Sequence, residues 1–449
     1  MTRHALRRLA YALLAATALV PYAFPDPGRA LLLEPRASPG PAPLCGIVLW
    51  GSNPRIEAYK GAVTLEFSYF YYSDVAGDDP AGDYAYDWSA VDAFLSAAKA
   101  RGHHGIVRFR DTDPELGLGR PSLPASLWAT TRQADYREGI AGAARTRVAF
   151  PDWSNPAVPA FIAAFYRKMA ERYPDQSSGL AYVEVGFGFW GEYHIDFDNL
   201  SAFSDEDADT VEEAVGRLFP SRADQLAILG VVAEAFTDIP WGISIDAADP
   251  DFGPFGESPP GGPPAFGLFD DSLLHAEWEA VNEGDWGFFD HRTDSRVNGG
   301  EFSYYTRYDQ RRALDADGPH GIPLAEAAGR RRLSFVIGDG QTKYRSPAEL
   351  AAAGRLLGYA LEVEDASPAD GGTAVTVRNA GAAVVPFRLF AAFGAVRSSA
   401  SLKGLMPGEA RTLVVPVVDP DPADFAFVSP ALLPGQVVPY TVRYGTAAR

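Results

Sequence analysis

Two glutamates have the surroundings of reacting groups. Glu192 lies in the run Phe189-Trp190-Gly191-Glu192-Tyr193-His194, and Glu301 closes the run Asn298-Gly299-Gly300-Glu301. Two carboxyls facing each other across about 5–5.5 Å can cleave an acetal by double displacement. One protonates the leaving oxygen and the other attacks the carbon. The acid needs a raised pKa, which a water-excluding aromatic wall supplies. Phe189, Trp190 and Tyr193 are the candidates for that wall around Glu192. The attacking carboxylate must stay charged, and Arg108 or Arg110 is expected to hold Glu301 ionised. Further candidates for contacting hydroxyl groups or tuning charge are Trp50, His194, Asp246, Asp270, Asp271 and Tyr304.

Each of these residues also has a purely structural reading. Glu192 and Glu301 can pair with arginines, and His194 can serve as a hydrogen-bonding neighbour. Asp270-Asp271 can cap a helix, and Trp50 and Trp153 can be core. His103-His104 stand before a β-rich run, at the opposite end from the glutamates, and read as surface residues. The acidic run Asp205–Glu213 reads as a solvated helix start. Other chemistries are poorly served. Cys45 is the sole cysteine and histidines number 7, so no disulfide, cysteine-rich metal site or iron–sulfur site is expected. No H-E-x-x-H, Walker A or G-x-S-x-G pattern occurs. We expect neither a cofactor nor a metal.

Residues so distant in sequence meet only if the fold converges strand ends. Eight short β-rich runs alternate with helical stretches. The runs are Gly46–Trp50, Val63–Tyr72, Gly105–Arg110, Ala181–Phe189, Trp241–Asp246, Ala265–Phe269, Arg296–Glu301 and Leu333–Ile337. Helical spacing marks Trp88–Ala100, residues 156–172 after Asn155, Ala223–Phe236 and residues 347–357 after Ser346. This order predicts an α/β fold, a (β/α)8 TIM barrel over residues 46–357, whose strands end at one mouth. An open doubly wound sheet would want a Gly-rich turn after the first strand, and none is present. The Gly/Pro-rich stretch Asp249–Pro264 reads as a long loop after the fifth strand. Residues 358–449 change texture, with alternating runs such as Thr373–Arg378 and Arg411–Val417, and read as a small all-β sandwich.

Composition sets the outer bounds. The chain has 449 residues and a formal net charge of −19. A field of that sign repels nucleic-acid phosphates and anionic membrane surfaces. Residues 1–30 open with Arg3, Arg7 and Arg8, continue with an uncharged run from Leu9 to Val20, and end in small and turn-forming residues. That is the order of a secretory signal peptide, so a secreted or periplasmic location is expected, with no stable membrane span after cleavage. Residues 31–45 read as a Pro-rich linker.

The runs GFGFWGEYH, GLFDDSLL (Gly267–Leu274) and NGGEF (Asn298–Phe302) resemble a family of secreted microbial proteins carrying a domain of unknown function. That family has a glycosidase-like (β/α)8 barrel followed by a small β-sandwich, and is similar to the large retaining glycoside hydrolase clan. The resemblance spans most of residues 46–449. It implies Glu192 at the acid/base position, Glu301 at the nucleophile position, and a carbohydrate as ligand. Gly191 stands where the clan has an asparagine that holds the sugar's 2-hydroxyl. Two functions follow: a secreted glycoside hydrolase, or a non-catalytic glycan-binding or polysaccharide-assembly protein.

Overall fold

Each of the eight runs becomes a strand, and the strands close on themselves. In the computed structural model, residues 31–114, 120–136, 146–194, 214–275 and 279–444 are described. The signal-like segment and the acidic run Asp205–Glu213 lie outside them. The barrel strands are β1 (Gly46–Trp50), β2 (Leu65–Tyr71), β3 (His104–Arg110), β4 (Leu180–Glu184), β5 (Trp241–Ser244), β6 (Gly267–Leu273), β7 (Gly299–Phe302) and β8 (Phe335–Ile337). Neighbours in sequence are neighbours in the barrel, all parallel, and β1 pairs with β8 through Gly46–Phe335 to complete the ring. The chain is therefore a (β/α)8 barrel over this region.

Parallel strands covered on both faces read as continuous apolar runs, yet their side chains still alternate. Ile47, Leu49, Val107, Phe109, Val183, Ile243, Phe302 and Val336 face outward onto the helices. Val48, Leu65, Phe67, Ile106, Tyr182, Phe269, Phe335 and Ile337 fill the interior. Tyr182 stacks on Phe335 with centroids 5.5 Å apart. Gly299 makes room for this filling, because a Cβ there would lie 2.2 Å from the Phe335 ring.

The longer helices among the described residues are α1 (Ser89–Arg101), α2 (Ala157–Arg172), α3 (Arg222–Ala235), α4 (Glu279–Phe289), α5 (Leu324–Arg331) and α6 (Pro347–Gly354). In α2, Val158, Phe161, Ile162, Phe165, Tyr166 and Met169 form one buried stripe at helical spacing. Ser221 caps α3, and Ser346 with Glu349 forms a capping box on α6. The stretch Asp249–Pro264 is tied down rather than loose. Arg222 Nε donates to Gly253 O at 3.1 Å, and Phe255 packs on Phe266 and Phe289.

Beyond the barrel come β9 (Leu361–Ala369), β10 (Gly372–Asn379), β11 (Phe390–Phe393), β12 (Val396–Arg397), β13 (Ala410–Val415), β14 (Phe425–Val428) and β15 (Tyr440–Val442). They form a four-stranded sheet, β13-β10-β9-β15, and a three-stranded sheet, β12-β11-β14. Val363, Val375, Val377, Leu413 and Val415 of the first sheet and Phe393, Phe425 and Phe427 of the second belong to one apolar cluster.

That cluster continues into the barrel floor, which overturns two expectations. His103 and His104 are buried, not on the surface. His103 Nδ1 lies 2.7 Å from Glu66 Oε1, and His104 Nε2 lies 2.9 Å from Ala431 O of the β-rich region. Burial pushes His104 down to about 4, so its imidazole is neutral. Residues 31–45 do not behave as a linker either. Pro41 to Cys45 are buried, Tyr182 donates its hydroxyl to Leu44 O, and Arg36 bridges to Tyr440. A local reading of proline content cannot see the two surfaces between which this strap is clamped.

Candidate active site

Strand β4 stops at Glu184, and the chain then coils through a tight turn to His194. Phe189 N donates to His194 O at 2.9 Å, Tyr193 N to Phe187 O at 2.9 Å, and Trp190 N to Thr112 O at 3.0 Å. Trp190 and Tyr193 sit at φ +56 and +62, a costly region for non-glycine residues that persists only where surroundings impose it. Gly191 has φ +70, and a Cβ there would lie 2.9 Å from Phe109 O. The asparagine expected at this position therefore does not fit this turn. The turn aims Glu192 back over the barrel axis.

There it meets Arg108, which rises from β3 and is buried. Arg108 forms ion pairs with both Glu184 and Glu192, and its guanidinium carbon lies 4.5 Å from the Phe269 ring centroid. Tyr69 donates its hydroxyl to Glu192 Oε1 at 2.7 Å. Glu184 is paired by charge, although neither of its oxygens has an aligned hydrogen bond. Burial pushes Glu184 up to about 7 against the pull of Arg108, with Glu192 and Asp271 adding to the rise. Glu192 is likewise held above the ordinary glutamate range by burial, opposed by Arg108 and reinforced by Asp271.

Asp271 of β6 is the counterpart. His194 Nε2 lies 2.8 Å from Asp271 Oδ2 and 3.2 Å from Asp246 Oδ2. One N–H serves one acceptor well, and the shorter contact goes to Asp271; Asp246 Oδ2 has no hydrogen bond. Burial would raise Asp271, yet His194, a hydrogen bond with Glu192, and Arg108 hold it low. Asp271 is held low and Glu192 high, so of the two Glu192 keeps its proton to the higher pH. Burial keeps Asp246 well above the usual range despite His194. Burial also opposes the charged form of His194, but Asp246 and Asp271 outweigh it and push the imidazole up to about 10.

Glu301 leaves β7 half-buried. Burial first, and the charge of Glu192 second, hold it well above the glutamate range, and Arg108 only partly compensates. Its carboxyl has no hydrogen bond among the described residues. The expected arginine partner is thus misplaced. Arg108 serves Glu184 and Glu192, while Arg110 stacks 3.4 Å from the Tyr69 ring centre and bonds Asp113 at 2.8 Å.

The remaining candidates divide. Trp50 is half-buried at the end of β1, edge-on to Tyr69 at 5.4 Å, and its backbone N–H is held by Asp339. Trp190 meets His194 edge-on at 5.8 Å. Tyr304 stands at the rim, with its hydroxyl within the fields of Glu192, Asp271 and Glu301. Two candidates do not reach the pit. Tyr193 is fully buried between Phe187 and Phe219, because the turn breaks the strand alternation. Asp270 faces outward, where Arg331 at 2.8 Å, Trp286 at 3.0 Å and Asn282 at 2.9 Å hold its carboxylate. Conversely, Glu184 and Tyr69 are central; the strand pattern reads Tyr69 only as one of a stripe with Tyr71 and Tyr72, about half of it core, and marks Glu184 with no role. An acid embedded in the apolar run Ala-Tyr-Val-Glu-Val was the available signal for Glu184.

Glu192, His194 and Asp271 offer atoms within 4.8 Å of one another, a spacing that suits a metal ion. The charges argue otherwise. Arg108, ion-paired with Glu192, already brings one cation to this cluster and would repel a second.

No family model matches the chain, and no curated protein matches it. The family resemblance therefore remains an expectation from its motifs. Solved structures similar to this chain include an endo-glycoceramidase II from Rhodococcus sp. in a cellobiose-like imidazole complex. It has 10% identity and a TM-score of 0.41, covering 87% of this chain and 98% of that one. The catalytic domain of a β-amylase from Paenibacillus polymyxa has 11% identity and a TM-score of 0.38, covering 70% and 99%. A monomeric β-xylosidase from Caulobacter crescentus CB15 has 13% identity and a TM-score of 0.37, covering 82% and 78%.

Proposed function

We propose that this chain is a retaining glycoside hydrolase of oligo- or polysaccharides, with Glu192 as acid/base and Glu301 as nucleophile. The observation that supports it is that Glu192, in the turn after β4, and Glu301, on β7, stand close enough over the barrel mouth for Glu192 to be the strongest charge acting on Glu301. Glu192 suits the acid, since burial raises it while Asp271 beside it is held low, so that of the two Glu192 keeps its proton to the higher pH. As the glycosidic C–O bond breaks, the leaving oxygen takes that proton and the Glu301 carboxylate bonds to the anomeric carbon. Arg108 and Tyr69 then stabilise the charge left on Glu192. Glu192 next takes a proton from an incoming water, whose oxygen displaces Glu301.

A second reading, a barrel that holds a glycan without turnover, has one observation in its favour. Burial and the nearby Glu192 hold Glu301 well above the usual glutamate range, with no arginine hydrogen-bonded to it among the described residues; both favour the neutral form, which does not attack. On either reading the ligand is a carbohydrate. The run of residues 1–30 extends the proposal to export from the cytoplasm.

The test is a panel of aryl glycosides and polysaccharides with the unmodified protein, E192Q and E301Q. Turnover by the unmodified protein and a loss of about 10²-fold or more in each variant is expected. Inactivity across the panel, or full activity in either variant, refutes the hydrolase. Glycan binding without product release supports the second reading.

A further inference from the structure

We infer that the exposed Tyr304–Tyr305 pair is a sugar-stacking platform beside the pit, so that the ligand is a chain of at least two sugar units; this rests on the glycan reading above. The two rings lie nearly parallel, 15° apart with centroids 5.3 Å from each other. They are 55% and 52% exposed, although most aromatics of this protein are buried. They follow directly on β7, whose end carries Glu301, and so lie on the same face of the barrel as the pit. The Tyr304 hydroxyl lies within the fields of Glu192, Asp271 and Glu301, which places it at the pit's edge.

The platform is braced from below by a buried polar frame. Asp309 is 3% exposed and both its oxygens are held. His275 Nδ1 lies 2.8 Å from Oδ2 and Ser303 Oγ donates to it at 3.2 Å, while His320 Nε2 lies 2.8 Å from Oδ1. The His275 ring supports Tyr305 at 5.0 Å, and the His320 ring supports Tyr308 at 5.1 Å. Ser303 N donates to Leu273 O at 3.1 Å, and Gln310 Nε2 to Ser303 O at 2.7 Å. One aspartate thus ties together the segments after β6, after β7 and around residue 320. A core does not need exposed rings fixed this way, whereas a binding surface gains, because the ordering cost is met before the ligand arrives. A flat, half-exposed tyrosine face suits the C–H face of a pyranose, whose hydroxyls point outward to water. Continuity with the pit favours a further unit of the same glycan over a protein partner.

The experiment uses the full chain carrying E301Q on an array of oligosaccharides of one to several units. E301Q is expected to bind longer chains more tightly than single units. Adding Y304A and Y305A removes that gain, weakening longer chains about 10-fold more than single units. Adding Y304F and Y305F keeps it. Undiminished binding of long chains by the alanine pair overturns the platform alone, as does an equal loss for single units. No binding of any glycan by E301Q overturns the platform together with the function it rests on. Matched thermal unfolding verifies the fold, and single Y304A serves if the pair does not fold.

Discussion

Glu184→Gln is expected to flatten the dependence of stability on pH. Glu184 sits at the end of β4, buried and ion-paired with Arg108. Burial moves it from 4.5 to about 7. A folded pKa above the unfolded one means that the folded state binds the proton more tightly. The stability this contributes is fully present below 4.5 and is lost as pH rises through about 7. At 1.36 kcal/mol per pKa unit, the loss is about 3 kcal/mol by about pH 8. Glutamine has the shape of the protonated acid and no proton to lose. Removing a negative neighbour also lowers Glu192, which acts in the same direction. Denaturant unfolding followed by tryptophan fluorescence across this range provides the assay. Relative to the unmodified protein, the variant should gain about 3 kcal/mol on going from acid to mildly alkaline pH. A difference constant to within about 0.5 kcal/mol would refute the reasoning that Glu184 is held largely protonated by burial. If the chain turns over a glycoside, the alkaline limb of its pH profile should also move to lower pH in the variant.

Four further outcomes follow from the geometry. Gly191→Asn, which installs the residue the resemblance leads one to expect, should cost about 2 kcal/mol in thermal unfolding. Its Cβ meets Phe109 O at 2.9 Å, whereas Gly404→Asn, at φ +79 in open space, should cost under about 1 kcal/mol; equal costs contradict the account. Arg331→Met leaves the buried Asp270 carboxylate without its cation and should destabilise by about 3 kcal/mol at neutral pH, without altering any turnover by the folded fraction. In NMR titration the His194 ring should stay protonated through neutral pH, since it is pushed up to about 10; a midpoint near 6.5 sinks the cluster's charge assignment. Cys45, which burial pushes up to about 12, should react with a thiol reagent only as fast as the protein unfolds, and prompt native labelling would contradict its placement.

The barrel was largely legible because its strands are short, apolar and spaced by helices. Even Arg296–Glu301, with two glycines, lands on β7. Some elements were not legible. The hairpin of Ala76–Asp78 with Tyr84–Tyr86 is too short to show a period, and α4 carries Gly284 and Gly287 inside it. Side-chain direction was legible only where a strand truly continues. Alternation places Arg108 and Asp271 inward and Asp270 outward. Counting onward from β4 to Tyr193 fails, because the backbone there turns left-handed at Trp190, Gly191 and Tyr193. Partners were the least legible. The arginine assigned to Glu301 belongs to Glu184 and Glu192, and only the three-dimensional register of Arg108 beside Glu184 reveals it.

The strap of residues 31–45 bears on the order in which the chain completes its fold. Leu31 N donates to Ala366 O at 2.7 Å, the Tyr444 hydroxyl to Leu31 O at 2.9 Å, and Arg36 N to Tyr440 O at 3.0 Å. The first and last described stretches are therefore laced together beneath the barrel, on the side away from Glu192 and Glu301. The lacing delays completion of the fold during synthesis. Ala366, Tyr440 and Tyr444, which the strap needs, are made long after it, so this part of the chain must wait for them.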